Sequence, residues 1–337
     1  MFLEGTILLG AEFDPIEGSV IIKQGLISKI EEHSTNSTDI ILPTFVNSHT
    51  HIGDSIAKDA GYGMSLDQLI APPSGLKHQL LDKATPENLI FNMTKSINFM
   101  EANGISAFAD FREGGVNGVK MLQESNMDSS IQAIIFGRET TDVLKISDGF
   151  GASGHRDADF SHTRKTTKQE NKLFGIHAGE RDNKDIDGAL DLEPDFIVHM
   201  VHATPEHLNH IKKEDIPVVV CPRSNLITGV GLPPIKDLLD HTIVALGTDN
   251  VMLNSPSIFR EMEFISKLFD IEPSAILRMA TSSGADIFDL NSGIIEIGKE
   301  AKLIVLNGES NNLYGSHDIV SSIVRRASMS DIKETYF

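Results

Sequence analysis

The chain has 337 residues, of which 40% are apolar and 23% are charged, and its net charge is −19 because 48 acidic residues outnumber 29 basic ones. These proportions are typical of a globular protein and exclude a collagen-like, coiled-coil or disordered chain. A surface this acidic repels phosphate groups, so we expect neither nucleic acid nor a membrane as a partner. The single cysteine, Cys221, excludes an internal disulfide framework and predicts a cytoplasmic location.

Short β-rich runs occupy both ends of the chain. The first group is predicted at Gly5–Gly10, Gly18–Ile22 and Leu26–Ile30, and the second at Gly293–Ile297, Lys302–Asn307 and Ile319–Val324. Each group is too small to fold alone. We therefore expect residues 1–42 and 291–337 to pair into one small β-sandwich module.

Between these ends, apolar runs of strand length alternate with helical patterns, which is typical of βα units. Eight runs are predicted as strands: Ile40–Val46, Ser106–Phe111, Ile131–Phe136, Val143–Ser147, Leu173–Ile176, Phe196–His199, Val218–Val220 and Ile243–Leu246. Several are continuously apolar, as parallel strands buried on both faces are. Eight strands in roughly 250 residues predict an α/β fold, a (β/α)8 TIM barrel, over residues 43–290.

Polar side chains follow several of these runs. His49 and His51 are two residues apart, so their side chains point the same way in an extended chain. His177 follows the fifth run and Asp249 follows the eighth. Active sites of such barrels lie at the carboxyl ends of the strands, and three imidazoles with one carboxylate predict a site for a divalent metal ion. The alternative is that these groups are ordinary hydrogen-bonded residues of the core or surface.

With these motifs the chain resembles the amidohydrolase superfamily, and most closely its mononuclear deaminase branch, over nearly its whole length. The resemblance is carried by Ile41–His51, His177–Glu180, Cys221–Leu226, Leu246–Asp249 and Gly298–Leu306, although Lys302 stands where the family usually has an acid. It implies one divalent ion, zinc or alternatively iron, held by His49, His51, His177 and Asp249. It also implies that Glu180 and His199 lie beside that ion.

The residue chemistry agrees with hydrolytic deamination of a small molecule. Glu180 is not needed as a metal ligand, so its carboxyl is available to carry a proton to a ring nitrogen. Asp249 can accept a proton from the attacking water. His199 can hold the oxygen of that water by a hydrogen bond, and it is preferred to His202 for this role because His199 lies nearer the strand. We expect an amino-substituted heterocycle of the nucleobase, nucleoside or pterin type to lose ammonia.

Four further side chains are candidates for substrate binding: His78, Arg112, Arg138 and Arg223. His78 follows a predicted Pro72-Pro73 loop, so it lines the pocket or merely begins a helix. The three arginines each follow a predicted strand and are able to clamp an anionic group of the substrate. Local pairing with Glu113 and Glu139 is the alternative. Two histidines on the helix after Thr204, His207 and His210, are expected to be solvated.

Two other functions stay open at this point. A binuclear enzyme that cleaves cyclic amides would need a lysine at the end of the fourth strand, and Lys145 lies within that run instead. A barrel that has lost catalysis would tend to lose metal ligands, whereas all four are present. Two metal ions per chain would favour the first alternative, and no metal binding would favour the second. A homodimer is expected from its frequency among oligomers alone.

Overall fold

The computed structural model describes residues 1–70 and 75–337, so the predicted Pro72-Pro73 loop lies outside the described residues. The chain divides into two compact units. One unit comprises Met1–Val46, Met100–Ser106 and Ser257–Phe337, and the other comprises Asn47–Phe99 and Ala107–Pro256. The domain boundaries given above stay a prediction.

The described residues form fifteen strands. They are β1 (Phe2–Leu9), β2 (Asp14–Lys23), β3 (Leu26–Glu32), β4 (Asp39–Pro43), β5 (Phe45–His51), β6 (Ile105–Arg112), β7 (Gln132–Gly137), β8 (Gly149–Ala152), β9 (Leu173–Ala178), β10 (Phe196–His199), β11 (Val218–Val220), β12 (Val244–Leu246), β13 (Asp249–Asn250), β14 (Leu303–Asn307) and β15 (Ile332–Tyr336).

They also form thirteen α-helices: α1 (Leu66–Ile70), α2 (Leu76–Lys83), α3 (Pro86–Ala102), α4 (Gly115–Ser125), α5 (Ser161–Gln169), α6 (Ile186–Leu190), α7 (Pro205–Glu214), α8 (Pro222–Thr228), α9 (Ile235–Leu239), α10 (Ile258–Leu268), α11 (Pro273–Ala280), α12 (Ser282–Ile287) and α13 (Ile319–Arg326). Across the described ranges, none of these helices is both long and apolar enough to cross a membrane.

The strands near the two ends of the chain form one six-stranded sheet in the order β15-β14-β4-β1-β2-β3. β1 and β4 pair in parallel, and the other neighbours pair antiparallel. Ile7, Val20, Ile41 and Leu303 are buried together on this sheet. The prediction that both ends join in one β-rich module is therefore confirmed.

The other strands form a nine-stranded parallel sheet in the order β12-β11-β10-β9-β8-β7-β6-β5-β13. Its two outer members, β12 and β13, are successive parts of one broken strand. The Gly247 amide donates to the carbonyl of Val220, while the Thr248 amide donates to the carbonyl of His49. These bonds link the broken strand to β11 on one side and to β5 on the other, which closes the ring and confirms the predicted barrel.

Only glycine fits at the break in this strand. A Cβ atom at Gly247 would lie 2.7 Å from the Cβ atom of His49 and 2.9 Å from its amide nitrogen. Distances that short require the backbone to move. The close approach of Gly247 to His49 therefore brings the next residues, which include Asp249, against the end of β5.

The predicted fourth barrel strand, Val143–Ser147, is wrong. Thr141–Lys145 form a 3-10 helix, and the strand is β8, whose sequence is Gly-Phe-Gly-Ala. Glycine and alanine have low β-propensity, whereas the Val-Leu-Lys-Ile run before them looks like a strand. Packing requires the glycines, since a Cβ atom at Gly151 would lie 2.6 Å from the ring of Phe111.

Gly151→Val is expected to lower the free energy of unfolding by about 1–3 kcal/mol, because the new side chain overpacks against Phe111. Chemical denaturation measures the change. Ala133→Val, at a half-buried position of β7, is the control and should leave stability within about 0.5 kcal/mol. Equal stability of the two variants would contradict the packing described here.

Three more strand predictions are corrected. The run Ile40–Val46 is divided at Thr44 between β4 and β5, which belong to different sheets. Residues 293–297 form bends and a turn rather than a strand. Ile319–Val324 lies in helix α13.

The helical spacing of its buried residues explains α13. Val320, Ile323 and Val324 recur at intervals of three and four positions, and all three are buried. Asp318 caps the helix by accepting a hydrogen bond from the amide of Ser321 at 3.0 Å. The β-branched composition of this run favoured a strand, but the burial period and the cap favour a helix.

Candidate metal centre

The four predicted metal ligands lie close together. His49 and His51 end β5, His177 lies in β9, and Asp249 begins β13. Nε2 of His177 is 3.2 Å from Nε2 of His49 and 3.4 Å from Nε2 of His51. Oδ1 of Asp249 is 3.4 Å from Nε2 of His49 and 3.7 Å from Nε2 of His51. Three ring nitrogens and one carboxylate oxygen are thus clustered, with four of their six mutual distances at 3.7 Å or less.

These distances fit a single divalent ion. Ligand atoms about 2.0–2.1 Å from a tetrahedral zinc ion lie roughly 3.3–3.4 Å from one another. Nδ1 of His51 bonds the carbonyl of Phe111 at 3.0 Å, and Nδ1 of His177 bonds that of Ala152 at 2.9 Å. A carbonyl only accepts, so both Nδ1 atoms carry the proton and both Nε2 atoms present lone pairs. Two lone pairs that face each other at this distance repel each other, and a cation bound between them would remove that repulsion.

Burial keeps these imidazoles in the neutral form that metal binding requires. Burial, with Lys77 nearby, lowers the pKa of His51 to about 3. Burial and the neighbouring histidines hold the pKa of His177 well below its usual range. Burial raises the pKa of Asp249, but His49, His199 and His51 outweigh it and keep that pKa well below its usual range.

Glu180 and His199 lie beside the four ligands. Oε2 of Glu180 is 3.6 Å from Nε2 of His199, and each of these side chains offers an atom within 4.8 Å of one on Asp249. The amide of Asn225 donates to Nδ1 of His199 at 3.1 Å, which leaves the proton of His199 on Nε2. Within the described ranges, Oε1 of Glu180 is buried without a hydrogen-bond partner, and burial raises the pKa of this carboxyl.

The backbone is strained where these side chains are placed. His199, Met200 and Asp249 have φ values of 82°, 52° and 57°, in the left-handed region that disfavours residues other than glycine. Each such residue costs on the order of 1–3 kcal/mol and is kept only where the surroundings impose it. The hydroxyl of Ser224 donates to Oδ2 of Asp249 at 2.5 Å and so helps to hold Asp249 in this conformation.

A cavity of about 410 Å³ opens over this cluster. Two of the four candidate substrate residues, His78 and Arg138, line it. His78 lies in α2 and is half-buried. The interpretation of His78 as a helix residue and its interpretation as a cavity residue are therefore compatible.

Arg112 and Arg223 do not line this cavity. Arg112 is buried and donates to Oε2 of Glu113 at 2.8 Å, which is the local pairing considered as the alternative. Arg223 donates to the carbonyl of Ser255 at 2.8 Å. The structure thus brings one of the three candidate arginines, Arg138, to the cavity.

A buried charged cluster next to the cavity has no counterpart among the sequence predictions. Nζ of Lys77, on α2, lies 2.8 Å from Oδ2 of Asp54 and 2.7 Å from Oε1 of Glu113. Burial raises the pKa of Asp54 to about 7, despite the opposing effect of Lys77. No local motif marks these three residues, because charged side chains in loops and short helices are usually solvated.

Two other sequence interpretations are resolved by packing. His207 is buried rather than solvated, and its Nδ1 accepts a hydrogen bond from the amide of Thr204 at the start of α7. Lys145 is on the 3-10 helix before β8, where its exposed ammonium lies 2.7 Å from Asp142. The fourth strand, β8, contains no lysine, so the binuclear alternative lacks its bridging residue.

Comparison with known sequences gives two kinds of match. A family model described as the amidohydrolase family matches residues 151–335. An uncharacterized protein of Methanocaldococcus jannaschii is 37% identical over 98% of this chain and 96% of its own length. A 5-methylthioadenosine/S-adenosylhomocysteine deaminase of Thermoanaerobacter pseudethanolicus is 24% identical over 94% of this chain and 85% of its own length.

Solved structures share the fold at low sequence identity. A zinc-bound adenosine deaminase of Xanthomonas campestris has a TM-score of 0.78 at 17% identity and covers 99% of this chain and 91% of its own. A guanine deaminase of C. acetobutylicum with bound guanine has the same TM-score and identity, and covers 99% and 98%. At this identity the likeness establishes the fold alone.

Proposed function

From the premise that this chain belongs to the amidohydrolase family and is a metal-dependent hydrolase, we propose that it hydrolytically deaminates an amino-substituted heterocycle. One zinc ion would be held by His49, His51, His177 and Asp249. The observation that carries the proposal is Glu180, a half-buried side chain beside those ligands whose Oε1 atom is buried and unpartnered among the described residues. A carboxyl in that state is suited to give a proton to a ring nitrogen.

Each residue has a defined task in this reaction. A divalent cation at the four ligands would lower the pKa of a coordinated water to about 7 and so supply a nucleophile at neutral pH. Glu180 donates a proton to the ring nitrogen next to the amino-bearing carbon. Asp249 accepts a proton from the attacking water, and His199 Nε2–H holds the water oxygen. A C–O bond forms, Asp249 passes the proton it took from water to the amino group, the C–N bond breaks and ammonia leaves. The new hydroxyl gives its remaining proton to the Glu180 carboxylate as it becomes a carbonyl.

The size of the cavity supports a small substrate. A volume of about 410 Å³ lies within the roughly 300–1,000 Å³ usual for small-molecule pockets. Nucleobases, nucleosides and pterins with an exocyclic amino group are small enough to enter a cavity of this volume. The relatives named as deaminases of 5-methylthioadenosine and S-adenosylhomocysteine support including 5′-substituted adenosines.

An ammonia-release screen with zinc-loaded protein tests the proposal. It covers aminopurines, aminopyrimidines, pterins, adenosine and 5′-substituted adenosines, with chelator-treated protein as the control. We expect at least one substrate to release ammonia only with the metal-loaded protein. Failure of every substrate with protein that retains its metal would contradict the deaminase assignment.

The metal content is expected to be about one ion per chain, because the described ligand set surrounds one point and β8 lacks a bridging lysine. Elemental analysis of protein purified with zinc, and separately with iron(II), measures this ratio. A ratio near two would favour the binuclear enzyme instead.

A further inference from the structure

The carboxylate of Glu113 contacts both a residue of the candidate metal centre and charged residues of the cavity wall. Its Oε1 atom lies 3.2 Å from Nδ1 of His51, 2.7 Å from Nζ of Lys77 and 2.9 Å from Nη1 of Arg138. Its Oε2 atom accepts from Nη2 of Arg112 at 2.8 Å. One buried carboxylate thus contacts three cationic side chains and one imidazole.

Glu113 contacts a proposed ligand without being one. Among the described residues it is in none of the groups whose atoms could hold a metal ion. It meets the side of His51 that faces away from Nε2, where Nδ1 also bonds the carbonyl of Phe111. A carboxylate at this ring nitrogen orients the imidazole and makes the opposite nitrogen a stronger ligand.

Charge gives Glu113 a second effect on the same site. Lys77 and Arg138 both line the cavity, and Arg112 is buried beside them. A cation near the ligands opposes the binding of a metal cation, and the opposition is strong where water is excluded. Glu113 contacts all three of these cations, so its charge offsets theirs at the point nearest His51.

We propose that Glu113 is a positioning residue, which holds His51 for metal binding and anchors Lys77 and Arg138 on the cavity wall. This inference rests on the proposed role of His51 as a ligand. Burial, the shared carboxylate oxygens and the contact with Nδ1 of His51 all support it. The residue acts through its neighbours and does not itself touch the reacting atoms.

The test is the metal affinity of Glu113→Gln, which keeps the shape of the side chain and removes its charge. We expect zinc affinity, measured by chelator competition, to fall by roughly 10–100-fold, as removal of such outer partners usually does. The visible spectrum of the cobalt(II)-loaded variant should also shift, because the orientation of His51 changes. Glu139→Gln is the control, since Glu139 follows the neighbouring strand β7 and accepts from the Gly114 amide instead.

The His51→Ala variant distinguishes a failure of the inference about Glu113 from a failure of the proposed metal site. If this variant loses zinc while Glu113→Gln binds it like the wild type with an unchanged cobalt spectrum, the inference is overturned and the metal site stands. If His51→Ala keeps full zinc affinity, the proposed metal site fails instead.

A double variant covers the case in which Glu113→Gln does not fold. Lys77→Met with Glu113→Gln removes one charge of each sign, so the buried cluster keeps its net charge. The double variant still deprives His51 of its carboxylate partner. We expect its zinc affinity to lie between those of the wild type and of Glu113→Gln. If only the double variant folds, we expect its affinity to be about 10-fold below that of the wild type. Wild-type affinity in the double variant would overturn the inference.

Discussion

Glu180→Gln is expected to lower kcat by roughly 10²–10⁴-fold while the protein keeps its metal, which is the usual contribution of a general acid or base. Glutamine has nearly the same shape as glutamate but has no acidic proton to give to a ring nitrogen. Glu180 is not one of the four proposed ligands, and its Oε2 atom lies 3.6 Å from Nε2 of His199. Steady-state kinetics and elemental analysis on the same preparation measure the two quantities.

The control for this variant is Glu206→Gln, which changes an exposed carboxylate on α7. It should leave both kcat and metal content unchanged. Wild-type turnover by Glu180→Gln would show that another group carries the proton. Loss of metal from Glu180→Gln would show that Glu180 itself binds the cation.

Asp249→Asn is expected to reduce metal content and also to lower kcat/KM by at least about 10³-fold, because it removes both a ligand and the proposed base. The carboxylate oxygen lies within 3.7 Å of the Nε2 atoms of both His49 and His51, so its charge compensates a cation there. Asparagine keeps the size of the side chain but supplies no negative charge.

Stability offers a readout of the same change that does not depend on activity. An ion that binds only the folded state stabilises it by about 4 kcal/mol when its concentration is 1,000 times its Kd. We therefore expect added zinc to raise the melting temperature of the wild type and to have much less effect on Asp249→Asn. Asp237→Asn, at an exposed position of α9, should respond like the wild type. Retention of one tightly bound ion by Asp249→Asn would exclude Asp249 as a ligand.

The predicted ligand positions illustrate what local pattern conveys. His49, His51, His177 and Asp249 each lie at or just beyond the end of an apolar run, and in a barrel all such ends lie on one side. In the structure, Nε2 of His177 and Oδ1 of Asp249 each lie within 3.7 Å of the Nε2 atoms of both His49 and His51. The two-residue spacing of His49 and His51 was enough to place both rings on one face of β5.

Local pattern failed where packing overrides propensity. The Gly-Phe-Gly-Ala sequence of β8 has weak strand preference, yet the ring of Phe111 requires glycine at 151 and the carbonyl of Leu173 requires glycine at 149. The β-branched run at Ile319–Val324 has strong strand preference, yet it forms α13. In β8 the contacts of the folded chain, which join residues distant in sequence, decide the conformation. In α13 the helical spacing of the buried residues and the Asp318 cap outweigh the β-branched composition.

The apolar runs, the turn residues between them and the histidines at their ends are local properties, and the barrel and the grouping of the four proposed ligands follow from these properties. The cluster of Asp54, Lys77 and Glu113 depends instead on which charges meet when three separate segments are buried. A buried ion is tolerated only beside a partner, and the partner comes from another part of the chain. For that reason only the tertiary structure decided that Glu113 meets His51 and that Arg138, but not Arg112 or Arg223, reaches the cavity.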